Sequence, residues 1–240
     1  MTQAARVTAA RPSENEATAT RILVMVGAPG AGKGTQALLL AGRLGLPHVS
    51  TGDLFRAALR DGSPLGAEVR PYMDRGALVP DSVTIRVIAE RLAMPDARRG
   101  VILDGFPRTR PQAEALDALL ATRGNRVAGA LYIEVETDEL VRRLAGRRVC
   151  SGPGQHVYHL DSRPPTRPGI CDVDGMALEQ RRDDLPETIR ARLDRQLPPM
   201  YEVVDHYVES GQLLSVRGDQ PIDQVTDELV RVVERAERRP

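Results

Sequence analysis

The apolar run at residues 22–26 leads straight into Gly27-Ala-Pro-Gly-Ala-Gly-Lys-Gly-Thr35, and this junction limits the possible folds more than any other feature of the 240 residues. Five apolar residues without polar alternation suit a strand covered on both faces. Glycines let the following backbone curl so that successive N–H groups face inward. Residues 35–44 then show apolar side chains at helical spacing, and a helix beginning near Lys33 adds the positive end of its dipole. Strand, tight loop and helix in this order form the phosphate-loop pattern G-x-x-x-x-G-K, met by Gly27 through Lys33. The chain carries 33 basic residues, and Lys33 is its only lysine. Arginine serves everywhere else, so a compact ammonium is required here to reach β- and γ-phosphates. The pattern departs from the general motif at Gly34, where Ser or Thr would ordinarily stand; the hydroxyl comes one residue later, at Thr35.

Residues 101–103 and 130–133 are further buried-strand candidates, and 213–216 is a weaker one. Helical patterns lie at 82–93, 110–122, 138–144, 186–208 and 222–235. Strands alternating with helices predict an α/β chain, a three-layer parallel sheet core of the phosphate-loop type. Two segments break the rhythm. Residues 50–79 read as short helices without a strand, and residues 146–184 are rich in Gly, Pro, Asp and Arg without helical periodicity, as expected of a module inserted into a core spanning 22–240.

Thirty-three acidic residues balance the basic ones, so there is no overall field to recruit nucleic acid or an anionic membrane. No apolar run approaches the roughly 20 residues needed to cross a bilayer. Residues 1–21 carry Arg6, Arg11 and Arg21 but also Glu14 and Glu16, with no apolar stretch. A disordered tail is expected there rather than a targeting segment, and the chain reads as cytoplasmic. Asp104 closes a buried strand on the side where parallel sheets hold ligands, suited to the water shell of Mg²⁺.

The loop GAPGAGKGT, followed by Ser50-Thr-Gly-Asp53 and Asp104-Gly-Phe-Pro-Arg108, resembles the adenylate kinases, particularly the long-lid bacterial type, from about residue 21 to the C-terminus. The resemblance implies Mg²⁺-dependent phosphoryl transfer, ATP + AMP = 2 ADP, by an enzyme acting as a monomer without nucleic-acid or membrane partners. It places ATP on Gly30, Ala31, Gly32, Lys33, Gly34 and Thr35, with Arg143, Arg147, Val157, Tyr158 and Gln220. It makes residues 50–79 an AMP-binding domain and 146–184 a lid. It places AMP on Thr51, Arg56, Ala77, Leu78, Val79, Gly105, Phe106, Pro107, Arg108 and Gln112, the last reading the adenine edge. Arg181 and Arg192 clamp the moving phosphate, so Lys33, Arg108, Arg147, Arg181 and Arg192 form the implied catalytic set. Asp183 and Asp184 fall at the lid's hinge end. A GTP-dependent AMP kinase, another nucleoside monophosphate kinase, and a nucleotide sensor without catalysis are the rival readings.

Cys150 and Cys171, the only cysteines, both fall in the implied lid. Cys171-Asp-Val-Asp174 matches half of a zinc pattern carried by long-lid relatives; Pro153 breaks the other half. Three alternatives follow: a structural Zn²⁺ on Cys150, His156, Cys171 and Asp174, a metal-free lid, or a disulfide. His159 is the poorer substitute ligand, because it follows Tyr158 at a position that resembles the ATP-contacting segment of these kinases.

Overall fold

The protein is described by a computed structural model over residues 20–238, excluding 153 and 155. Residues 1–19 of the expected tail therefore lie outside the described residues. Arg21, assigned to that tail by the sequence, instead opens the first strand, and its guanidinium pairs with Glu237.

Five parallel strands form the main sheet: β1 (Arg21–Val26), β2 (His48–Ser50), β3 (Gly100–Asp104), β4 (Val127–Glu134) and β8 (Leu213–Arg217), in the order β2-β3-β1-β4-β8. Strands β1 and β3 are buried almost end to end, which explains their unbroken apolar sequences. Helices α1 (Lys33–Leu44) and α8 (Ile222–Glu237) pack together on the sheet. Helices α4 (Asp81–Leu92), α5 (Arg110–Ala121) and α7 (Pro186–Glu209) form a second packed group. The result is the expected three-layer parallel core. Strand ends, loop Gly27–Lys33 and the segment after Asp104 converge at the carboxyl edge, where β1 and its neighbours break off.

Between β2 and α4 lie α2 (Thr51–Arg60) and α3 (Pro64–Met73), the short helices expected there. Ser50 caps α2 by accepting from Asp53 N, and Ser63 caps α3 by accepting from Gly66 N. Phe55 and Val69 of this pair pack with Val79 and with Val83 and Val87 of α4 in a small core of their own. After α6 (Thr137–Gly146) the chain leaves the main sheet and builds an antiparallel one, β5 (Arg147–Cys150) flanked by β6 (Val157–His159) and β7 (Leu178–Glu179). Cys150, Tyr158 and Cys171 form its buried centre, with Leu178 against them.

Candidate active site

The loop after β1 is shaped by backbone conformations that side chains oppose. Gly30 has φ of 88°, and a Cβ there would lie 3.0 Å from Leu140 O and from the Leu144 side chain. No side chain caps α1 and its first turn holds no acid, so its positive end is left for an anion. Lys33 Nζ folds back onto the loop, donating to Gly27 O at 2.8 Å and Ala28 O at 2.9 Å. Burial lowers its pKa to about 7; Asp104 holds it up, while Arg108, Arg192 and Arg147 press it further down.

Asp104 stands opposite at the end of β3. Burial opposes its ionisation, but His48, Lys33 and Arg108 outweigh that and keep the carboxyl below its usual range. A Cβ at Gly34 would meet Asp104 Oδ2 at 3.2 Å, so the departure from Ser or Thr at that position leaves the carboxylate facing the loop. This ionised group, facing the glycine loop, fits an outer-sphere Mg²⁺ partner. His48 Nε2 lies 3.5 Å from Asp104 Oδ2. Sequence reasoning missed His48, which sits in a three-residue strand with no pattern of its own.

After β3 the chain turns at Gly105, with φ of 77°, where a Cβ would lie 2.8 Å from both Arg108 Nη2 and Thr51 Oγ1. The absent side chain lets Thr51 Oγ1 donate to Gly105 O at 2.8 Å and Arg108 Nε donate to the same oxygen at 2.8 Å. Phe106 is buried, and the peptide to Pro107 is cis. Gln112 is buried in the first turn of α5. Its Oε1 accepts from Arg108 N at 2.8 Å and its Nε2 donates to Asp81 Oδ1 at 2.7 Å. Arg56 pairs with Asp53. Ala77, Leu78 and Val79 follow a turn tied to α7 through Gln196 Nε2, which donates to Gly76 O at 3.2 Å.

From the other side, Arg147 makes a two-pronged pair with Asp184, at 2.7 and 2.6 Å, and Arg192 donates to the same carboxylate at 2.8 Å. Asp184 is fully buried, and Asp183 lies 3.0 Å from Arg192. Arg181 is held down to about 9, first by burial and then by Arg147 and Arg56. Burial lowers Arg108 and Arg192 as well; Arg192 adds to the effect on Arg108, and Asp183 partly offsets it on Arg192. Among the described residues, the buried Nε atoms of Arg56, Arg181 and Arg192 have no hydrogen-bond partner. Buried donors are nearly always paired, so three unpartnered ones on arginines that act electrostatically on their neighbours Arg108 and Arg181 suit a site for polyanionic oxygen.

Arg143, Gln220 and Tyr158, expected at the ATP site, have the following partners. Arg143 donates to Gly218 O at 2.7 Å and to Ala31 O at 3.5 Å, and pairs with Glu139, so it ties the phosphate loop to the turn after β8. Gln220 there donates to Glu228 and to Arg217 O. The Tyr158 ring does not face the cleft. Its hydroxyl accepts from Asp172 N and lies 3.5 Å from Cys171 Sγ, so only its backbone, with Val157, is left for a ligand.

Cys150, His156, Cys171 and Asp174 come together, with one donor atom from each within 4.8 Å of the others. Cys150 Sγ is 3.1 Å from Asp174 Oδ1, Cys171 Sγ is 3.3 Å from His156 Nδ1, and His156 Nδ1 is 3.4 Å from Asp174 Oδ2. Tetrahedral zinc with these donors needs separations of about 3.3–3.8 Å, so the set fits with small adjustments. No disulfide joins Cys150 to Cys171, and both side chains are buried. His159 Nδ1 accepts from Asp161 N and Ser162 N and is thereby engaged outside the cluster. Pro153 lies outside the described residues.

Loop, β3 segment and arginines border a cavity of about 60 Å³, lined by Gly27, Lys33, Leu78, Gly105, Arg108 and Arg192 among others. A larger hollow of about 350 Å³ opens at the far end of the sheet around Ile22, Leu92 and Leu120; Arg98 and Arg123 line it, but neither the glycine loop nor Lys33 does.

The adenylate kinase family pattern matches residues 25–212. An adenylate kinase of Lysinibacillus sphaericus is 48% identical over 207 residues, 86% of this chain and 95% of its own length. One from Bacillus subtilis is 49% identical over 203 residues, covering 85% and 93%. One from Streptomyces avermitilis is 46% identical over 213 residues, covering 89% and 97%. With phosphate loop, acidic strand end and arginine cluster on one sheet edge, and likeness over nearly the full length of these enzymes, the chain belongs to the adenylate kinase family.

Proposed function

We propose that the arginine-lined cleft holds ATP and AMP end to end and that Lys33, Arg108, Arg147, Arg181 and Arg192 carry the transfer between them. The chain is a phosphotransferase that interconverts ATP + AMP and 2 ADP. Phosphoryl transfer asks little covalent work of a protein; it asks for alignment and for positive charge around the moving group. Gly30–Thr35 would cradle the phosphates of ATP, with Arg143 and Gln220 fixing the turn beneath its base. Thr51, Arg56, Ala77–Val79, Gly105–Arg108 and Gln112 would enclose AMP. Asp104 would hold Mg²⁺ through its water shell, and the bound ion offsets phosphate charge. The observation that carries this reading is the buried Lys33 under the influence of Arg108, Arg192 and Arg147, together with the partnerless buried Nε–H groups of Arg56, Arg181 and Arg192.

The 60 Å³ cavity is far below the roughly 300–1,000 Å³ of sites that enclose small ligands, so entry requires the cleft to open. The 50–79 segment and the β5–β7 module are the parts proposed to move, as AMP-binding domain and lid, closing to keep water from accepting the phosphoryl group. No described helix is long and apolar enough to cross a membrane. A cytoplasmic monomer without nucleic-acid partners completes the reading. Purified protein with MgATP and AMP should form two ADP per AMP consumed, while MgATP alone should give almost none. GTP in place of ATP should support much slower turnover. Tight ATP binding without transfer would point instead to a nucleotide sensor.

The β5–β7 module is further proposed to carry structural Zn²⁺ on Cys150, His156, Cys171 and Asp174. In the metal-free arrangement burial pushes the Cys150 thiol up to about 11, so the site gains little as a thiolate until a cation replaces its proton. Protein expressed with zinc should carry about one ion per chain, and Cys171→Ser should lose it. Chelation should lower the melting temperature while leaving transfer chemistry in place. Zinc-free protein from zinc-supplemented cells would exclude the site.

A further inference from the structure

We infer that Asp81 is a specificity-determining residue of the acceptor site, because it locks the polarity of the Gln112 amide and thereby selects a 6-amino over a 6-oxo purine. The inference rests on the reading that Gln112 faces the acceptor base.

Gln112 is 1% exposed, and each end of its amide already has one partner. Oε1 accepts from the backbone N–H of Arg108 at 2.8 Å, and Nε2 donates to Asp81 Oδ1 at 2.7 Å. Asp81 is itself fixed, since Thr109 Oγ1 donates to its Oδ2 at 3.0 Å. Thr109 in turn is the N-cap of α5, accepting from Gln112 N at 3.3 Å. The four groups form a closed ring joining the start of α4 to the start of α5.

Turning the amide over would set Oε1 against a carboxylate and Nε2 against an N–H, leaving two buried mismatches. The orientation is therefore held from both ends. After these bonds Oε1 keeps one lone pair and Nε2 keeps one N–H. A purine with a 6-amino group offers a donor at N6 and an acceptor at N1, which complements a fixed acceptor and donor. A 6-oxo purine offers an acceptor at O6 and a donor at N1, the reverse. A free glutamine would turn over to suit either base; one held by Asp81 cannot. Arg108 N supplies the other half of the lock, but as backbone it is present whatever the side chain, so Asp81 is the part that sequence can change.

The test uses full-length enzyme with MgATP and three acceptors: AMP, inosine monophosphate, and purine riboside monophosphate, which lacks any group at position 6. Wild-type kcat/KM should fall in the order AMP, purine riboside monophosphate, inosine monophosphate, because losing one bond is milder than opposing two like groups. In Asp81→Asn either end of the new amide can face Gln112. The AMP to inosine monophosphate ratio should then shrink at least tenfold, with the absolute kcat/KM for inosine monophosphate rising. An equal loss on both acceptors would mean that Asp81 only supports the fold and would overturn the lock. Should Asp81→Asn not fold, the wild-type order decides alone: inosine monophosphate equal to or above purine riboside monophosphate means that the amide turns freely. Gln112→Leu separates this inference from its premise. If that variant keeps the wild-type ratio, Gln112 does not read the base and both readings fail; if it loses the ratio while Asp81→Asn keeps it, only the lock is wrong.

Discussion

Lys33→Ala is expected to lower kcat by about 10³-fold or more with the fold intact. Its ammonium lies beside Asp104 and within the influence of Arg108, Arg147 and Arg192, so its removal strips charge from the place where phosphate oxygens gather. Lys33→Arg should restore little, since a planar fork cannot sit where a point charge donates to Gly27 O and Ala28 O. Without nucleotide this same charge burdens the fold. Its pKa is lowered from the ordinary 10.5 to about 7, so between those values the unfolded chain holds a proton that the folded chain releases. Stability drawn from this group therefore rises with pH across about 7 to 10.5 and is least below about 7. Lys33→Met should accordingly melt higher than the parent at pH 6, with the gap narrowing towards pH 10, while losing activity. Near-native kcat in Lys33→Ala, with circular dichroism unchanged, would contradict the role given to the loop.

Much of the candidate site was legible as a pattern because its parts are local. The phosphate loop, Thr51 to Arg56 and Gly105 to Arg108 are each held within a few residues of sequence, and the glycines that shape them are visible as letters. Long helices and fully buried strands were legible for a related reason: their periodicity repeats over many residues, and the observed bounds differ from the expected ones by a few positions. What stayed hidden depends on pairing across the chain. Strand β2 has three residues, and Arg147–Cys150 begins with two charges; neither reads as a strand until its neighbour is in place. Tyr158 follows the resemblance in sequence, yet its ring is drawn into the module's small core because that core has few other large side chains. Asp81 lies 31 residues from Gln112, and nothing in either segment announces the other.

Asp184 gives the second large effect, and here the loss is in stability. It is wholly buried, accepts two bonds from Arg147 and one from Arg192, and lies beside Arg181. Asp184→Asn keeps the shape but removes the charge, leaving two largely buried guanidiniums to repel each other. Breaking a buried pair in this way costs about 3–5 kcal/mol. For a chain of this size that corresponds to roughly 6–20 °C of melting temperature. The cost should be conditional. Nucleotide phosphates bring negative charge to the same arginines, so a bisubstrate analogue joining adenosine to adenosine through phosphates should raise the variant's melting temperature by more than it raises the parent's. A parent and variant that melt together without ligand, or that gain equally from the analogue, would show that Asp184 does not balance these cations. The expected pattern follows from charge alone: the ligand-free site balances its arginines with a carboxylate, and the filled site adds the negative charge of its substrates.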